Sequence, residues 1–265
     1  MPGGPSASRK GLEPGPGAEP VATHFGRLAS TGAWDELYDA PETAANVSFR
    51  VRLARTTELM PSGAISVLDV GCGPAPLAPR LQAGCSYVGV DLVAPMLFRA
   101  RERVPHARLV RSGASLPFRD SSFDVVVALG FLEYLEDIAA ALSEMRRVVR
   151  RGGIVIVSIP KKHHLDRVMI QLMTPLRAIG GFILGKRSDS IRRTLLAASE
   201  LDDKATSAGL RPIGGVHYHY LPLPYPLTVL VPRSSHRATL AMESWHGRAA
   251  LSILAHGYLG RYQRD

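Results

Sequence analysis

The segment Val67-Leu68-Asp69-Val70-Gly71-Cys72-Gly73-Pro74-Ala75 restricts the fold more than any other stretch, because a short β-rich run empties straight into a glycine turn. A run of this length bounded by glycine reads as a strand buried on both faces, as in a parallel sheet. The glycines let backbone approach a ligand where a Cβ would intrude, and the pattern predicts a helix after the turn, with an N-terminus that favours negative charge. Asp91 ends a second β-rich run about 20 residues later, where a carboxylate can accept both hydroxyls of a ribose. These features describe a nucleoside-containing ligand at the carboxyl edge of a sheet.

Five β-rich runs, Ser66–Val70, Ser86–Val90, Ala107–Val110, Phe123–Leu129 and Gly153–Ile159, alternate with helical stretches that include Ala94–Arg103 and Ile138–Arg150. That order predicts an α/β fold, a Rossmann-like doubly wound sheet with helices on both faces. The Arg151-Gly152-Gly153 break reads as a helix C-terminus, with Arg146, Arg147 and Arg150 beside unpaired carbonyls. Further on, Ser199–Ala208 reads as a helix opened by a Ser199-x-x-Asp202 capping box and ended by Gly209. A sixth strand is expected from Arg211 into His217-Tyr218-His219-Tyr220, and a seventh over Ser252–Gln263 along the edge. Upstream, residues 1–22 read as a disordered tail whose first 20 residues hold five Gly and five Pro. Residues 23–62 read as two helices interrupted around Pro41, and residues 63–265 as the main domain with an insertion at about 161–198.

With 265 residues and 46% hydrophobic content, the chain can bury a substantial core, which excludes a wholly disordered protein. Two cysteines, Cys72 and Cys85, exclude a disulfide scaffold and point to a reducing compartment. There is no run of about 20 apolar residues, and Met1 is followed by Pro and Gly, so a cytoplasmic protein is expected. The net charge of +9 comes chiefly from arginine, since only five of the 32 basic residues are lysine. Nucleic-acid binding is disfavoured on that ground, and attraction to an acidic substrate or an anionic membrane surface is favoured over it. The basic, apolar stretch from Leu165 to Leu184 admits two readings, a core-covering insertion or an amphipathic entrance for a lipophilic substrate at a membrane surface.

The ligand is narrowed by what the glycine turn lacks. A dinucleotide site wants G-x-G-x-x-G, but Pro76 stands at the third position and Asp69 would set a carboxylate near a pyrophosphate. An acid two residues before the first glycine suits the cationic end of S-adenosylmethionine instead. Val67–Ala75, Asp91, Leu116-Pro117-Phe118, Ser122-Phe123-Asp124 and Arg151-Gly152-Gly153 together resemble the motif series of class I S-adenosylmethionine-dependent methyltransferases, in their small-molecule branch. The resemblance implies a seven-stranded sheet with an antiparallel last strand. It also implies S-adenosyl-L-methionine as cofactor, held by Asp69, Gly71 and Gly73 at its methionine and ribose portions, by Asp91 at the ribose hydroxyls and by Leu92 at the adenine face. Ser112, Gly113 and Ala114 would line the adenine edge, and Leu129 would hold the methionine by its backbone. Two departures stand out: relatives carry an acid where Ser112 stands, and a glycine where Ala75 stands. Residues 25–60, with Trp34-Asp35-Glu36-Leu37-Tyr38, resemble the N-terminal lid helices of some relatives; packing alone is the other reading of these aromatics.

Methyl transfer from a sulfonium is an in-line displacement that requires positioning and, for a protonated acceptor, a base. No metal is expected. The candidate catalytic residues are Glu133, Tyr134 and His163, with His164, His217 and His219 weighed beside them. His217 and His219 are expected on one strand face and Tyr218 and Tyr220 on the other, as ordinary polar packing. The expected acceptor is a small molecule, with a hydroxyl of a lipophilic or secondary metabolite favoured. A cofactor-binding protein with a non-methylating activity and a basic RNA-binding protein on the same scaffold are the alternatives.

Overall fold

The computed structural model describes residues 20–39, 46–113, 115–162, 191, 193–221, 232–245 and 249–265. Three helices open the chain: α1 (Val21–Thr31), α2 (Ala33–Asp39) and α3 (Val47–Leu59). Two had been expected; Gly32, at φ 71, caps the first helix in the left-handed region and splits it from the second. The sheet follows with β1 (Ser66–Val70), β2 (Ser86–Asp91), β3 (Arg108–Arg111), β4 (Phe123–Ala128) and β5 (Val149–Pro160), with α4 (Ala94–Arg103) and α5 (Ile138–Val148) between them. The last elements are α6 (Ala198–Ser207), β6 (Leu210–Tyr220), α7 (Pro232–Glu243) and β7 (Ala255–Arg264).

The strand order is β3-β2-β1-β4-β5-β7-β6. β1 pairs in parallel with both β2 and β4, so the chain reverses its direction of travel across the sheet there and leaves a crevice at the carboxyl ends. The last strand is antiparallel to both neighbours, as the resemblance implied, but it lies between β5 and β6 instead of along the edge.

Period-two alternation sorts the core. Leu68, Val70, Val126, Ala128, Val155 and Val157 pack on one face with α5 and α6, while Val67, Val125, Val127, Ile154 and Ile156 pack on the other with Tyr38 and Leu53. Asp69 shares the parity of Val67, so its carboxyl is directed to the face that α2 and α3 cover.

Three local expectations are corrected. No α-helix follows the glycine turn, where the structure has only the 3-10 turn Ala78–Arg80. Pro74, Pro76 and Pro79 remove three backbone donors in that segment, so the anion-favouring helix end does not form there. Arg151-Gly152-Gly153 is not a helix C-terminus; α5 stops at Val148 and these residues lie inside β5, where the register with β4 shifts. The final carbonyls of α5 are instead taken by Arg264 of β7, whose Nη1 donates to Arg146, Arg147 and Val149 oxygens at 2.9, 2.9 and 2.6 Å. Ser199 is likewise inside α6, not its cap. Ala197 precedes the helix and has no side-chain acceptor, so capping there is carried by Glu200, whose Oε2 accepts from the Ala197 amide at 2.8 Å.

The resemblance motifs downstream of β3 are structural ties. Asp124 Oδ2 accepts from the Ile65 and Ser66 amides and the Ser66 hydroxyl, fastening the start of β4 to the start of β1. Arg147 Nη1 and Nη2 donate to the Phe118 and Leu116 carbonyls and fix the loop before β4.

In β6 and β7, tyrosine rings cover glycines. A Cβ on Gly257 would come within 2.2 Å of the Tyr218 ring, and Gly257 is Tyr218's cross-strand partner. Gly257→Ala is expected to destabilise the fold by about 1–3 kcal/mol through overpacking. Urea denaturation checks this; adding Tyr218→Ala should recover part of the loss, and strict additivity of the two changes would refute the contact.

Candidate functional site

A cavity of about 1050 Å³ opens above the carboxyl ends of β1, β2 and β4. Small-molecule sites span roughly 300–1,000 Å³, so there is space for two ligands side by side. The floor is the glycine turn. Gly71 and Gly73 have φ of 71° and 52°, and the Gly71 and Cys72 amides donate to the Val90 carbonyl at 2.8 and 3.0 Å. A Cβ at Gly71 would lie 2.6 Å from the Phe131 ring, so the loop passes under it only as glycine. Ala75, where relatives carry glycine, also has a positive φ of 55°.

Asp91 ties this turn to the next loop. Its Oδ2 accepts from the Gly73 amide and its Oδ1 from the Val93 amide, both at 2.8 Å. Each oxygen keeps a further lone pair, and the residue lines the cavity. Burial raises its pKa, with the backbone donors opposing. Asp69, 3% exposed, accepts from the Tyr87 hydroxyl at 2.9 Å. Burial pushes its pKa up to about 7, the Tyr87 hydrogen bond opposes the rise and the nearby Asp91 charge adds to it. Leu92, with Val93 and Met96, supplies an apolar wall beside these acids.

The other expected residues divide. Gly113 and Leu129 line the cavity. Ser112 does not, since its hydroxyl donates to the Ser115 carbonyl at 2.6 Å and its amide to the Asp91 carbonyl. Ala114, His163 and His164, and the stretch from Leu165 to Leu184, fall outside the described residues. Lys161 was expected in a solvated loop but is buried; its Nζ donates to the Ser252 carbonyl at 2.6 Å, and burial lowers its pKa.

The 3-10 turn Leu132–Tyr134 also borders the cavity through Glu133 and Tyr134. Glu133 there is 6% exposed, lines the cavity, and has an Oε2 with no partner among the described residues. Its pKa is raised by burial, against the pull of Arg52. Tyr134 meets Phe25 edge-on at 5.2 Å, and burial moves its pKa up to about 12. Phe25 also meets Trp34 edge-on at 5.3 Å, and Trp34 and Tyr38 each lie edge-on to Phe49 at 5.6 Å. These rings line the cavity from α1, α2 and α3, and Tyr38 is at the same time in the core, so packing and lining are the same contact.

His217 lies outside the cavity lining against Tyr258, and burial brings its pKa down to about 4. His219 does line it, together with Tyr218, which had been expected on the opposite face. The left-handed φ of 58° at His219 breaks the alternation. Among the described residues no three His, Cys, Asp or Glu side chains gather as a metal site.

Arg52, Tyr218 and Ser158 also line the site and were not anticipated. Arg52 was legible: Phe49, Arg52, Leu53 and Thr56 fall at i, i+3, i+4 and i+7, which sets an arginine in an apolar stripe. Ser158 gave no signal, being one polar residue in an apolar strand whose hydroxyl accepts from the Gly130 amide at 2.8 Å.

Residues 68–157 match a family model described as a methyltransferase domain. The chain is 28% identical over 259 residues to a malonyl-[acyl-carrier protein] O-methyltransferase of Pseudescherichia vulneris, covering 92% of this chain and 97% of that protein. It is also 28% identical over 130 residues to a tRNA (carboxymethyluridine(34)-5-O)-methyltransferase of Arabidopsis thaliana, of which it spans only 31%, with 48% of this chain aligned. Among solved structures it is similar to an S-adenosylmethionine-dependent methyltransferase from Thermotoga maritima, with a TM-score of 0.64, 18% identity, and 92% and 100% of the two chains covered.

The raised pKa of Asp69 has a consequence for stability. The folded state binds a proton more tightly than the unfolded chain, so this group's contribution falls as pH rises from about 4 to about 7. Asp69→Asn is expected to remove that fall. Urea midpoints at pH 5 and pH 8 check it, and a variant that loses as much stability as the parent between the two would contradict the assignment.

Proposed function

The chain carries a class I S-adenosylmethionine-dependent methyltransferase domain, and on that premise we propose that it methylates an oxygen of a small-molecule acceptor, with Glu133 as the base that takes a hydroxyl proton. The observation that carries the reading is one continuous cavity. At one end Asp69, Asp91 and the glycine turn offer carboxylates and bare backbone; at the other a buried carboxylate has an oxygen without a partner.

The residues at the first end fit the cofactor. Asp69 suits its ammonium group, the free lone pairs of Asp91 its ribose hydroxyls, and Leu92, Val93 and Met96 its adenine face, with Gly113 at the base's edge. Gly71 and Gly73 leave space for close approach, and Leu129 borders the methionine end. When bound, the cofactor supplies an electrophilic methyl carbon on a cationic sulfur.

The chain's own part is to position and to move a proton. The rings of Phe25, Trp34 and Tyr38 line the cavity and replace part of the water around its bound ligands with apolar surface, which strengthens the charge interactions inside it. Glu133, desolvated and with a raised pKa, is a stronger base than an exposed carboxylate. The aromatic rings that line the cavity favour a lipophilic acceptor. Oxygen as the methylated atom is supported by the two relatives, both of which are named for O-methylation. No helix among the described residues is long and apolar enough to cross a membrane.

Labelled S-adenosylmethionine incubated with the protein and an extract of the source cell tests the proposal directly. A labelled small molecule is expected, and cofactor binding without S-adenosylhomocysteine formation would favour the non-methylating alternative. Asp91→Ala is expected to weaken cofactor affinity by about 1–3 kcal/mol, since buried hydroxyls lose a charged acceptor; calorimetry reads this. Glu133→Gln is expected to lower turnover by about a hundredfold or more with cofactor affinity retained. An unchanged rate would remove Glu133 from the mechanism.

A further inference from the structure

Among the described residues the Asp69 carboxyl accepts a single hydrogen bond, from the Tyr87 hydroxyl at 2.9 Å, and Tyr87 does not itself line the cavity. The sheet explains how a tyrosine of the neighbouring strand arrives there. Asp69 of β1 is the cross-strand partner of Gly89 in β2, and Val67 is the partner of Tyr87, so Tyr87 stands two residues behind Gly89 on the same face. Gly89 has no side chain to block the way. A Cβ there would lie 3.3 Å from the Tyr87 ring and 2.9 Å from Cys72 Sγ, so the ring extends past this glycine and its hydroxyl meets the carboxyl beyond it.

The other groups that face Asp69 come from four directions. Asp91 at the end of β2 repels its negative charge and Arg52 from α3 attracts it, while the Cys72 thiol of the glycine turn and the Tyr38 hydroxyl of α2 face it as neutral groups. Burial pushes the Asp69 pKa up to about 7, and of everything around it the Tyr87 hydrogen bond opposes that rise most strongly. Tyr87 stays a neutral donor throughout, because burial and the Asp69 charge push its own pKa well up.

We propose that Tyr87 is a positioning residue for the cofactor: it holds Asp69 in the cavity as a carboxylate ready for an ammonium group, and so sets the pH above which S-adenosylmethionine is taken up. An ammonium pairs strongly with a carboxylate and weakly with a carboxylic acid, so below that pH uptake requires Asp69 to release its proton to solvent. Affinity therefore falls as pH drops through the range in which Asp69 titrates and levels off above it. Asp91, which serves the ribose, is common to every nucleoside ligand, whereas only a ligand with the amino-acid end senses Asp69. The inference rests on the proposed seat of the cofactor, with its ammonium group on Asp69.

The test is calorimetric titration at pH 6, 7 and 8 with S-adenosylhomocysteine and with methylthioadenosine, a nucleoside thioether that lacks the amino-acid end. Affinity for S-adenosylhomocysteine is expected to rise about tenfold from pH 6 to pH 8, with a proton release that shows as a buffer-dependent heat, while affinity for methylthioadenosine changes by less than about threefold. Tyr87→Phe is expected to move the rise to higher pH, so that its deficit in S-adenosylhomocysteine affinity is several-fold larger at pH 6 than at pH 8. A deficit of equal size at both pH values, as a merely structural role would give, overturns the proposal. The comparison of the two nucleosides uses the unaltered protein and stands even if Tyr87→Phe does not fold; identical pH profiles for the two overturn the proposal and leave the cofactor reading in place. Failure of the unaltered protein to take up either nucleoside at any of these pH values overturns both.

Discussion

The carboxylate of Asp91 joins two loops, adding a side-chain tie to the backbone bonds that the Gly71 and Cys72 amides make to the Val90 carbonyl. One oxygen takes the Gly73 amide from the turn after β1, the other the Val93 amide from the loop after β2. With both loops drawn to one side chain, the crevice between β1 and β4 has a fixed floor and the backbone of the glycine turn faces a ligand. The same group is then available to that ligand, because a carboxylate oxygen that accepts one hydrogen bond can accept another. Fold and site thus share an atom pair, which is why burying this acid is tolerated despite the rise in its pKa.

Around that floor the cavity is polarised. Asp69 and Asp91 make one part of it acidic, and Arg52 lies within electrostatic reach of both Asp69 and Glu133, whose Oε2 has no hydrogen-bond partner among the described residues. Aromatic rings from the three N-terminal helices line the cavity. They meet one another edge to face at 5–6 Å, so the wall of the cavity is also a packed cluster with its own stability. A cationic sulfonium nucleoside is a ligand whose charge the two aspartates complement.

Where local sequence signals failed, a non-local partner had taken over the role. The glycine pair after α5 looked like a cap, but Arg264, more than a hundred residues away, covers the helix end instead and frees the glycines to bend β5. Ser199 and Asp202 had capping-box spacing, but Glu200 reached the free amide first. The turn after β1 looked like the start of a helix until its three prolines are counted as three missing donors. His219 should have shared a face with His217, and a single left-handed residue turned it to the cavity instead.

What the sequence determined by itself was the order of elements and the identity of the cofactor end. Strand-forming runs, glycine at positive φ and a carboxylate at a strand's end are each local requirements, readable one residue at a time. Glu133 and Tyr134 could be picked out from their place after a strand, but which other residues join them in the cavity was decided by tertiary structure. Arg52, Glu133, Tyr218 and Ser158 are far apart in the chain, and nothing local says that they meet. They come together only when α3 packs across β5, β7 and β6, which buries their polar groups in one cavity.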